Sequence, residues 1–334
     1  MSNEVELKFL VADDVFSHLE QTLSVLEVIK QQDQQLENIY FDTADQQLRA
    51  LDCGLRIRTY NGQHEQTIKL AGQVIGGLHQ RPEYTLPTND TWPDLRAFPK
   101  EIWPADLDVG ALQQSLQTLF RTDFHRRTWT VSLQKDSVIE VAYDIGFIDA
   151  NGQREPINEV ELEIINGPVE PLFELAKRLV TRPGWQLGSI SKAQRGYRLA
   201  GLSSDPDVRR MGFVPVVSDM TARDGLLAAL RYALRHWQYH EQLYLQQQSI
   251  GALLQLRSAI SLIQHTRLLY GQVYEALTPV DWEMDLQWLV EQFSWLDEAL
   301  VLQRMQFEYR QMLRNAPCQH ELTSEVERHD AALP

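Results

Sequence analysis

Charged and apolar residues alternate along several short segments of the chain. In the segment EVELKFL (4–10), Glu4, Glu6 and Lys8 would lie on one face of a β-strand and apolar residues on the other. The same alternation predicts further strands at 37–43, 54–60, 64–70, 79–86, 124–133, 137–148 and 157–165. The sequence NGQ, at 61–63 and again at 151–153, indicates a hairpin turn each time.

Helical signals are fewer in the first 200 residues. Apolar residues at helical spacing predict helices at about 12–28, 106–120 and 169–181. Many short strands with few helices are typical of a closed or strongly curved antiparallel sheet.

The pattern changes near residue 200. Residues 201–218 are rich in Gly, Ser, Pro and Asp, which predicts a linker between a domain at 1–200 and a second region. From 219 to 315 apolar residues recur at helical spacing, and three such helices predict an antiparallel bundle. We expect the bundle core to include Trp237, Trp282, Trp288 and Trp295. The end of the chain, 316–334, is polar and is expected to be a disordered tail.

Charges of opposite sign are sorted by strand within 1–200. Acidic residues lie towards the ends of this region, at Glu4, Glu6, Glu140, Asp144, Glu159, Glu161 and Glu163. Basic residues lie in the middle, at Arg56, Arg58, Lys69 and Arg81, the last of which shares a strand face with Glu83. A solvated sheet face is one interpretation, and a barrel whose charged face lines a wet tunnel is the other. The pattern alone leaves both open.

The tunnel interpretation has a chemical consequence. Sequestered like charges are costly unless they are paired. A cluster of carboxylates therefore implies a hard cation, and a cluster of Arg and Lys implies a polyanion. Together they indicate a metal-bound phosphate chain as the ligand.

Composition limits the function classes. The chain has 334 residues and a formal net charge of −15, which argues against a general nucleic-acid binder. Its two cysteines form no zinc or disulfide motif. The sequence contains neither a secretion signal nor an apolar run long enough to span a bilayer, so we expect a cytoplasmic protein without membrane partners.

The motifs resemble a known family. EVELK is similar to the ExExK signature of the CYTH superfamily, the triphosphate tunnel metalloenzymes, and LRIR, TIKL, QRPEY, DFHRRTW, EVELE and SKAQRGY follow in family order over about 1–200. GGLHQRPEY and GSISKAQRGY are most similar to bacterial inorganic triphosphatases in which CYTH precedes a helical CHAD domain. The resemblance implies an α+β fold: an eight-stranded antiparallel β-barrel tunnel with flanking helices, followed by an α-helical bundle.

The resemblance also implies roles for individual residues. Two ions, Mg²⁺ or Mn²⁺, would be held by Glu4, Glu6, Asp144 and two of Glu159, Glu161 and Glu163, with the spacing to the following ING favouring Glu161 and Glu163. Phosphate would be bound by Lys8, Arg56, Arg58, Lys69, Arg81, Arg126 and Lys192, with Glu83 orienting an arginine or completing the metal shell. The catalytic set would be Lys8, Arg56, Arg58, Lys69 and Arg126. Several relatives carry a lysine where this chain has Phe124, so any leaving-group acid must come from elsewhere.

Three functions follow from the resemblance. The first is hydrolysis of tripolyphosphate to pyrophosphate and phosphate. The second is a class IV-type adenylate cyclase or an organic triphosphatase, and the third is a module that binds polyphosphate or a nucleotide without turnover. Residues 220–275 resemble the start of a CHAD domain, which would add a polyphosphate-binding face, but we favour a packed bundle that supports the barrel. The sequence does not predict the oligomeric state.

Overall fold

The computed structural model describes residues 2–12, 15–133, 137–204, 206–274 and 281–315. The chain divides into two compact units, with the boundary between residues 205 and 206, inside the predicted linker. The predicted tail at 316–334 lies outside the described residues. None of the described helices combines the length and the apolar run that a membrane span needs.

The first unit is built mainly of β-strands. Its described strands are β1 (Ser2–Val11), β2 (Glu27–Thr43), β3 (Gly54–Tyr60), β4 (Gln63–Lys69), β5 (Gln73–Ile75), β6 (Leu78–Thr88), β7 (Leu116–Leu133), β8 (Ser137–Ala150), β9 (Gln153–Asn166) and β10 (Trp185–Leu187). Its described helices are α1 (Val15–Leu23), α2 (Gln47–Ala50), α3 (Val109–Gln114), α4 (Glu170–Leu179) and α5 (Lys192–Leu199).

Eight of these strands close into a ring. They follow the order β1-β9-β8-β7-β2-β3-β4-β6, and β6 pairs again with β1, every pair being antiparallel. The two Asn-Gly turns join β3 to β4 and β8 to β9, with positive φ at Asn61, Gly62, Asn151 and Gly152, as a type I′ hairpin requires. The predicted eight-stranded antiparallel barrel is confirmed.

The apolar core lies outside the ring. Leu7 and Phe9 of β1 and Leu162 of β9 are buried against Leu19 of α1 and Leu172 of α4 in one cluster. Full burial of each such side chain contributes roughly 1.5–3 kcal/mol. Because successive side chains of a strand point to opposite faces, this arrangement turns the charged positions of β1 and β9 into the ring.

Two predicted helices of the first unit are shorter than expected. The helix predicted at 12–28 ends at Leu23, and β2 begins at Glu27. The helix predicted at 106–120 is only α3, and β7 begins at Leu116 instead of residue 124. Both differences have one cause, because β2 and β7 pair along almost their whole lengths, from Glu27 to Thr43. Pairing between strands so distant in sequence overrides local helix propensity.

The second unit is helical. Its described helices are α6 (Ala222–Gln247), α7 (Ile250–Tyr270), α8 (Asp281–Gln292) and α9 (Leu296–Arg314). Thr221 begins α6 through a capping box with Asp224. The third predicted helix is two helices in the structure, α8 and α9. The core contains Leu256 and Ile260 of α7 and Leu286 of α8, with Trp237 packed against it.

The prediction that all four tryptophans belong to this core was wrong. Trp282, Trp288 and Trp295 are exposed. Helical spacing places side chains on one face of a helix but does not say what covers that face.

Candidate active site

The charged face of β1 points into the ring. Glu4, Glu6 and Lys8 are only 7%, 4% and 2% exposed. In the strand register Glu6 lies opposite Glu163 and Lys8 lies opposite Glu161, both on β9. The charges of the opening strand therefore face one another inside the ring and not the solvent.

One cavity of about 470 Å³ collects nearly all of the predicted site residues. Those that line it are Glu4, Glu6, Lys8, Arg56, Arg58, Lys69, Arg81, Glu83, Arg126, Glu161, Glu163 and Lys192. Asp144 and Glu159 are not in its lining and are completely buried. To bind a metal in the cavity, as predicted, Asp144 and Glu159 would have to become accessible from it.

The structure pairs many of the acids with bases. Lys69 Nζ lies 2.5 Å from Glu4 and 2.8 Å from Glu83. Arg81 lies 3.1 Å from Glu4 and 3.6 Å from Glu6. Burial opposes ionisation of Glu4, but Lys69 and Arg81 outweigh it and lower its pKa. These five side chains, from β1, β4 and β6, form the first of two ion-pair networks.

The second network surrounds Asp144 and Glu159. The Lys192 ammonium, at the start of α5, lies 2.7 Å from each of these carboxylates and 2.9 Å from Glu161. Arg126 forms two 2.6 Å hydrogen bonds to Asp144 and one of 2.7 Å to Glu161. Burial would raise the pKa of Glu159, yet Lys192 and Lys8 lower it to about 2.

Two arginines in the cavity, Arg58 and Arg56, are less fully neutralised by carboxylates than the other basic residues. The guanidinium of Arg58 donates to Asn38 over 2.9 Å and lies 3.5 Å from Glu65. Burial and the neighbouring Arg56 and Arg126 lower the pKa of Arg58 to about 10. Arg56 reaches the Tyr40 hydroxyl, but its Nε is buried without a hydrogen-bond partner among the described residues.

A group of neighbouring carboxylates lies on the β1–β9 side of the cavity. Glu163 lies opposite Glu6 on β1 and opposite Glu140 on β8. Burial and then the nearby carboxylate of Glu4 raise the pKa of Glu163 to about 8. Burial, followed by Glu161 and Glu4, also raises the pKa of Glu6. These carboxylates are close enough to repel one another.

Three further side chains lie at or beside this site, and of these the sequence analysis missed Tyr40 and Arg195 and favoured a non-catalytic role for His79. Tyr40 lines the cavity, and although burial would raise its pKa, Arg56 and Arg58 lower it. His79 is buried beside Lys8, and burial, with Lys8 as the next cause, lowers its pKa to about 4. Arg195 lies 2.6 Å from Glu159. The alternation in ENIYFDT and the arginine of SKAQRGY were the available signals for Tyr40 and Arg195.

Phe124 occupies the position where the resemblance to the CYTH family implies a lysine. Its ring is buried, with the Lys192 ammonium 5.3 Å and the Arg126 guanidinium 5.6 Å from the ring centroid. Both distances are within the range of cation–π attraction. An ammonium group is therefore present over this position, supplied by α5 and not by β7.

Comparison with known proteins identifies the first unit. Residues 2–197 match the family model described as the CYTH domain. The inorganic triphosphatase of Haemophilus influenzae is 36% identical over 199 residues, which are 60% of this chain and 55% of that protein. The chain thus spans about half the length of this relative. The helical region lies outside residues 2–197, so its resemblance to CHAD stays a prediction.

Solved structures give weaker likenesses. HpAC1 from Hippeastrum, reported to have a dominant triphosphatase activity, is 18% identical, covers 57% of this chain and 92% of its own, and has a TM-score of 0.40. The mimivirus capping enzyme triphosphatase is 12% identical, covers 55% and 91%, and has a TM-score of 0.34. Neither TM-score reaches 0.5, so these likenesses say nothing about the activity of this chain.

Proposed function

Because the chain belongs to the CYTH family, we propose that its tunnel is the active site of a metal-dependent inorganic triphosphatase, which hydrolyses tripolyphosphate to pyrophosphate and phosphate. One observation carries the proposal: a single cavity holds both a crowded set of guanidinium groups and a crowded set of carboxylates. The likeness to the Haemophilus influenzae inorganic triphosphatase supports this substrate over others.

The guanidinium side fits a polyphosphate. Arg58 is destabilised by Arg56 and Arg126, and the buried Nε of Arg56 has no acceptor among the described residues. A phosphate oxygen would supply that acceptor, and its negative charge would relieve the repulsion between the arginines. The oxygen of a neutral ligand would also accept the hydrogen bond, but it would not relieve the repulsion.

The carboxylate side fits a hard divalent cation by its chemistry. Glu4, Glu6, Glu161 and Glu163 offer only oxygen donors, which Mg²⁺ and Mn²⁺ prefer. Burial and then the neighbouring carboxylates raise the pKa values of Glu6 and Glu163, and the charge of a bound cation would oppose both effects. Within the described ranges, however, no three acidic, His or Cys side chains converge as a ready-made cage.

The ion pairs explain how both clusters can be used together. Glu4 is neutralised by Lys69 and Arg81, and Glu161 by Lys8, Lys192 and Arg126. If a metal bound alone, the Lys and Arg side chains would lose their carboxylate partners. If a polyphosphate bound alone, the carboxylates would lose their Lys and Arg partners. When both bind, the acids turn to the metal and the bases to the phosphates. We therefore expect each ligand to tighten the binding of the other.

In the proposed reaction, the protein's own residues position and neutralise the phosphate chain. Arg56, Arg58 and Arg126 would hold phosphate oxygens and stabilise the negative charge that grows on the leaving group. A bound divalent ion would supply Lewis-acid polarisation and a lowered pKa for water. Lys192 is held charged, because Asp144 and Glu159 outweigh burial and raise its pKa. It would therefore stabilise charge near Phe124 and would be a poor proton donor.

The test is a substrate panel. The full chain would be given tripolyphosphate, ATP, thiamine triphosphate and pyrophosphate with Mg²⁺, with Mn²⁺ and with neither, while phosphate, pyrophosphate and cyclic AMP are measured. We expect metal-dependent turnover of tripolyphosphate with much the highest kcat/KM. Comparable turnover of an organic triphosphate, or formation of cyclic AMP, would replace the proposal with the organic triphosphatase or the cyclase. Tight binding of tripolyphosphate without turnover would indicate a binding module.

A matched pair of arginine variants tests the location of the site. Arg56→Ala removes a guanidinium from the cavity, and loss of a charge-assisted hydrogen bond costs about 2 kcal/mol or more, so kcat/KM should fall at least about 30-fold. Arg121→Ala is the control, because that side chain is half exposed and does not line the cavity. Wild-type kcat/KM in Arg56→Ala would contradict the tunnel site.

A further inference from the structure

A row of four polar side chains crosses the wall of the tunnel at Arg58. In the strand register Glu65 of β4 lies opposite Arg58 of β3, Arg58 lies opposite Asn38 of β2, and Asn38 lies opposite Thr122 of β7. Side chains directly opposite one another on a sheet face are close enough to interact. Asn38 and Thr122 are completely buried and do not line the cavity, whereas Arg58 does. Asn38 can therefore act on a ligand only through a neighbouring side chain.

The amide of Asn38 is held in one orientation. Its oxygen accepts a 2.9 Å hydrogen bond from Arg58 Nε, and its nitrogen donates one of 2.9 Å to Thr122 Oγ1. A guanidinium has donors and no acceptor, so rotation of the amide by half a turn would set two donors against each other. Thr122 thus fixes Asn38, and Asn38 fixes the guanidinium of Arg58 at Nε.

Asn38 holds Arg58 without neutralising it. Five other basic side chains that line the cavity have a carboxylate oxygen within 3.1 Å, namely Lys8, Lys69, Arg81, Arg126 and Lys192. Arg58 instead has the amide oxygen of Asn38 at 2.9 Å and the carboxylate of Glu65 at 3.5 Å. An amide oxygen accepts a hydrogen bond but carries no net charge. The positive charge of Arg58 is therefore less compensated than that of these five groups.

We propose that Asn38 is a positioning residue for phosphate binding, which orients Arg58 through a neutral acceptor and so keeps the guanidinium charge available to the ligand. This role rests on the proposed function, in which the phosphate chain is the ligand of Arg58. The bond at Nε leaves the two terminal nitrogens of Arg58 to form a fork with phosphate oxygens. A carboxylate in place of the amide would hold Arg58 as firmly, but it would compete with the phosphate for the charge.

Two substitutions separate the orientation of Arg58 from its charge. Asn38→Ala removes the acceptor, and Asn38→Asp replaces it with a carboxylate of nearly the same shape, to which the Thr122 hydroxyl can donate. The Kd of tripolyphosphate is measured by calorimetry without divalent metal, so that no hydrolysis is expected. We expect it to rise about tenfold in Asn38→Ala and at least as much in Asn38→Asp. Gln31→Glu is the charge control: Gln31 lies on the same strand but is exposed and outside the cavity lining, so the Kd should stay at its wild-type value.

A double-mutant cycle distinguishes positioning from a purely structural role. In an Arg58→Ala background, Asn38→Ala should change the Kd by less than about twofold, because the group through which Asn38 acts is gone. A structural defect would weaken binding equally in both backgrounds. Thr122→Val removes only the hydroxyl that fixes the amide, and it should weaken binding when Arg58 is present and not when it is absent. This variant carries the same comparison if Asn38→Ala does not fold.

The outcomes separate the role of Asn38 from the proposed function. If the wild-type chain binds tripolyphosphate but does not hydrolyse it with metal, the triphosphatase proposal fails, and the Kd comparison still tests Asn38. If the wild-type chain hydrolyses tripolyphosphate, a wild-type Kd in Asn38→Asp would overturn the role of Asn38 alone. An equal loss of affinity for Asn38→Ala, or for Thr122→Val where Asn38→Ala does not fold, with and without Arg58 would do the same.

Discussion

Replacing Arg58 with Gln should make the empty protein more stable while it weakens polyanion binding. Burial and the two neighbouring guanidinium groups of Arg56 and Arg126 lower the pKa of Arg58 to about 10. The charged form is therefore disfavoured in the folded protein relative to the unfolded chain. Removing the charge removes this cost, and it also removes a predicted phosphate ligand.

The size of the effect follows from the pKa and the contacts. An ordinary guanidinium has a pKa near 12.5, so the cost of the charge is roughly 3 kcal/mol at about 1.4 kcal/mol for each pKa unit. Only 16% of the side chain is exposed, so solvent screens little of this cost. Against it stands the lost hydrogen bond to the buried Asn38, about 1 kcal/mol; the attraction of Glu65 is already included in the pKa shift and is not counted again. We expect a net gain of about 1–2 kcal/mol.

The pH dependence has a definite sign. Because the folded-state pKa lies below the ordinary value, the unfolded chain binds this proton more tightly than the folded chain. The destabilising contribution is then fully present below about pH 10 and is lost as the pH rises through that value. The stability difference between Arg58→Gln and wild type should be constant from pH 6 to 9 and should shrink above pH 10.

Thermal unfolding with and without tripolyphosphate measures both effects. At pH 7.5 without polyanion, the Tm of Arg58→Gln should exceed that of wild type by a few degrees, since 1 kcal/mol corresponds to about 2–4 °C in a protein of this size. Addition of tripolyphosphate should raise the wild-type Tm more than the variant Tm. Arg58→Lys keeps the charge and should show no gain, and the exposed Arg121→Gln should change neither value. A lower Tm for the empty Arg58→Gln protein, or an undiminished tripolyphosphate shift, would refute the reasoning.

Three further predictions concern the metal, the barrel and the second unit. The double variant Glu4→Gln with Glu6→Gln should lose the metal-induced Tm shift and turnover, and unchanged metal-dependent activity would contradict a role for these carboxylates. Gly146→Ala should lower Tm by the equivalent of about 1–3 kcal/mol, because its Cβ would lie 2.2 Å from the Asp123 carbonyl oxygen, whereas Gly54→Ala meets nothing within 4 Å and should be nearly neutral. A chain ending near residue 205 should stay folded by circular dichroism and hydrolyse tripolyphosphate; a folded but inactive product would place part of the site beyond that residue.

The closed barrel was predictable because three signals in the sequence agree. Alternation marked the strands, Asn-Gly turns marked two hairpins, and the motifs supplied the strand count. The pairing that closes the ring was not readable, because β1 and β6 are far apart in sequence. Residues 27–35 are mostly Glu, Lys, Gln and Asp, without alternation, so no local pattern could show that they continue β2 against β7.

The site residues were predictable as a set but not in their pairings. Glu159, Glu161 and Glu163 share one strand face, so alternation treats them alike. Helix α5 distinguishes them in the structure. It places Lys192 and Arg195 on Glu159, which is closed off from the cavity, whereas burial and then the carboxylate of Glu4 raise the pKa of Glu163. We therefore infer that Glu161 and Glu163 are the metal ligands of the triplet, and that Glu159 anchors α5.

Phe124 shows why a lysine can be absent from β7 without leaving the tunnel short of charge. The ammonium of Lys192 lies over the Phe124 ring, and Arg126 borders the same ring. A lysine at position 124 would add a third cation beside these two, whereas the aromatic face attracts both of them. Gly146 on β8 lies so close to the Phe124 backbone that a methyl group there would come within 2.4 Å of its Cα, so the strand that carries the ring is fixed in place. We infer that in this chain α5 supplies the positive charge beside position 124, through Lys192. Because Lys192 on α5 is held by Asp144, Glu159 and Glu161, it acts as a fixed positive charge and not as a mobile proton donor.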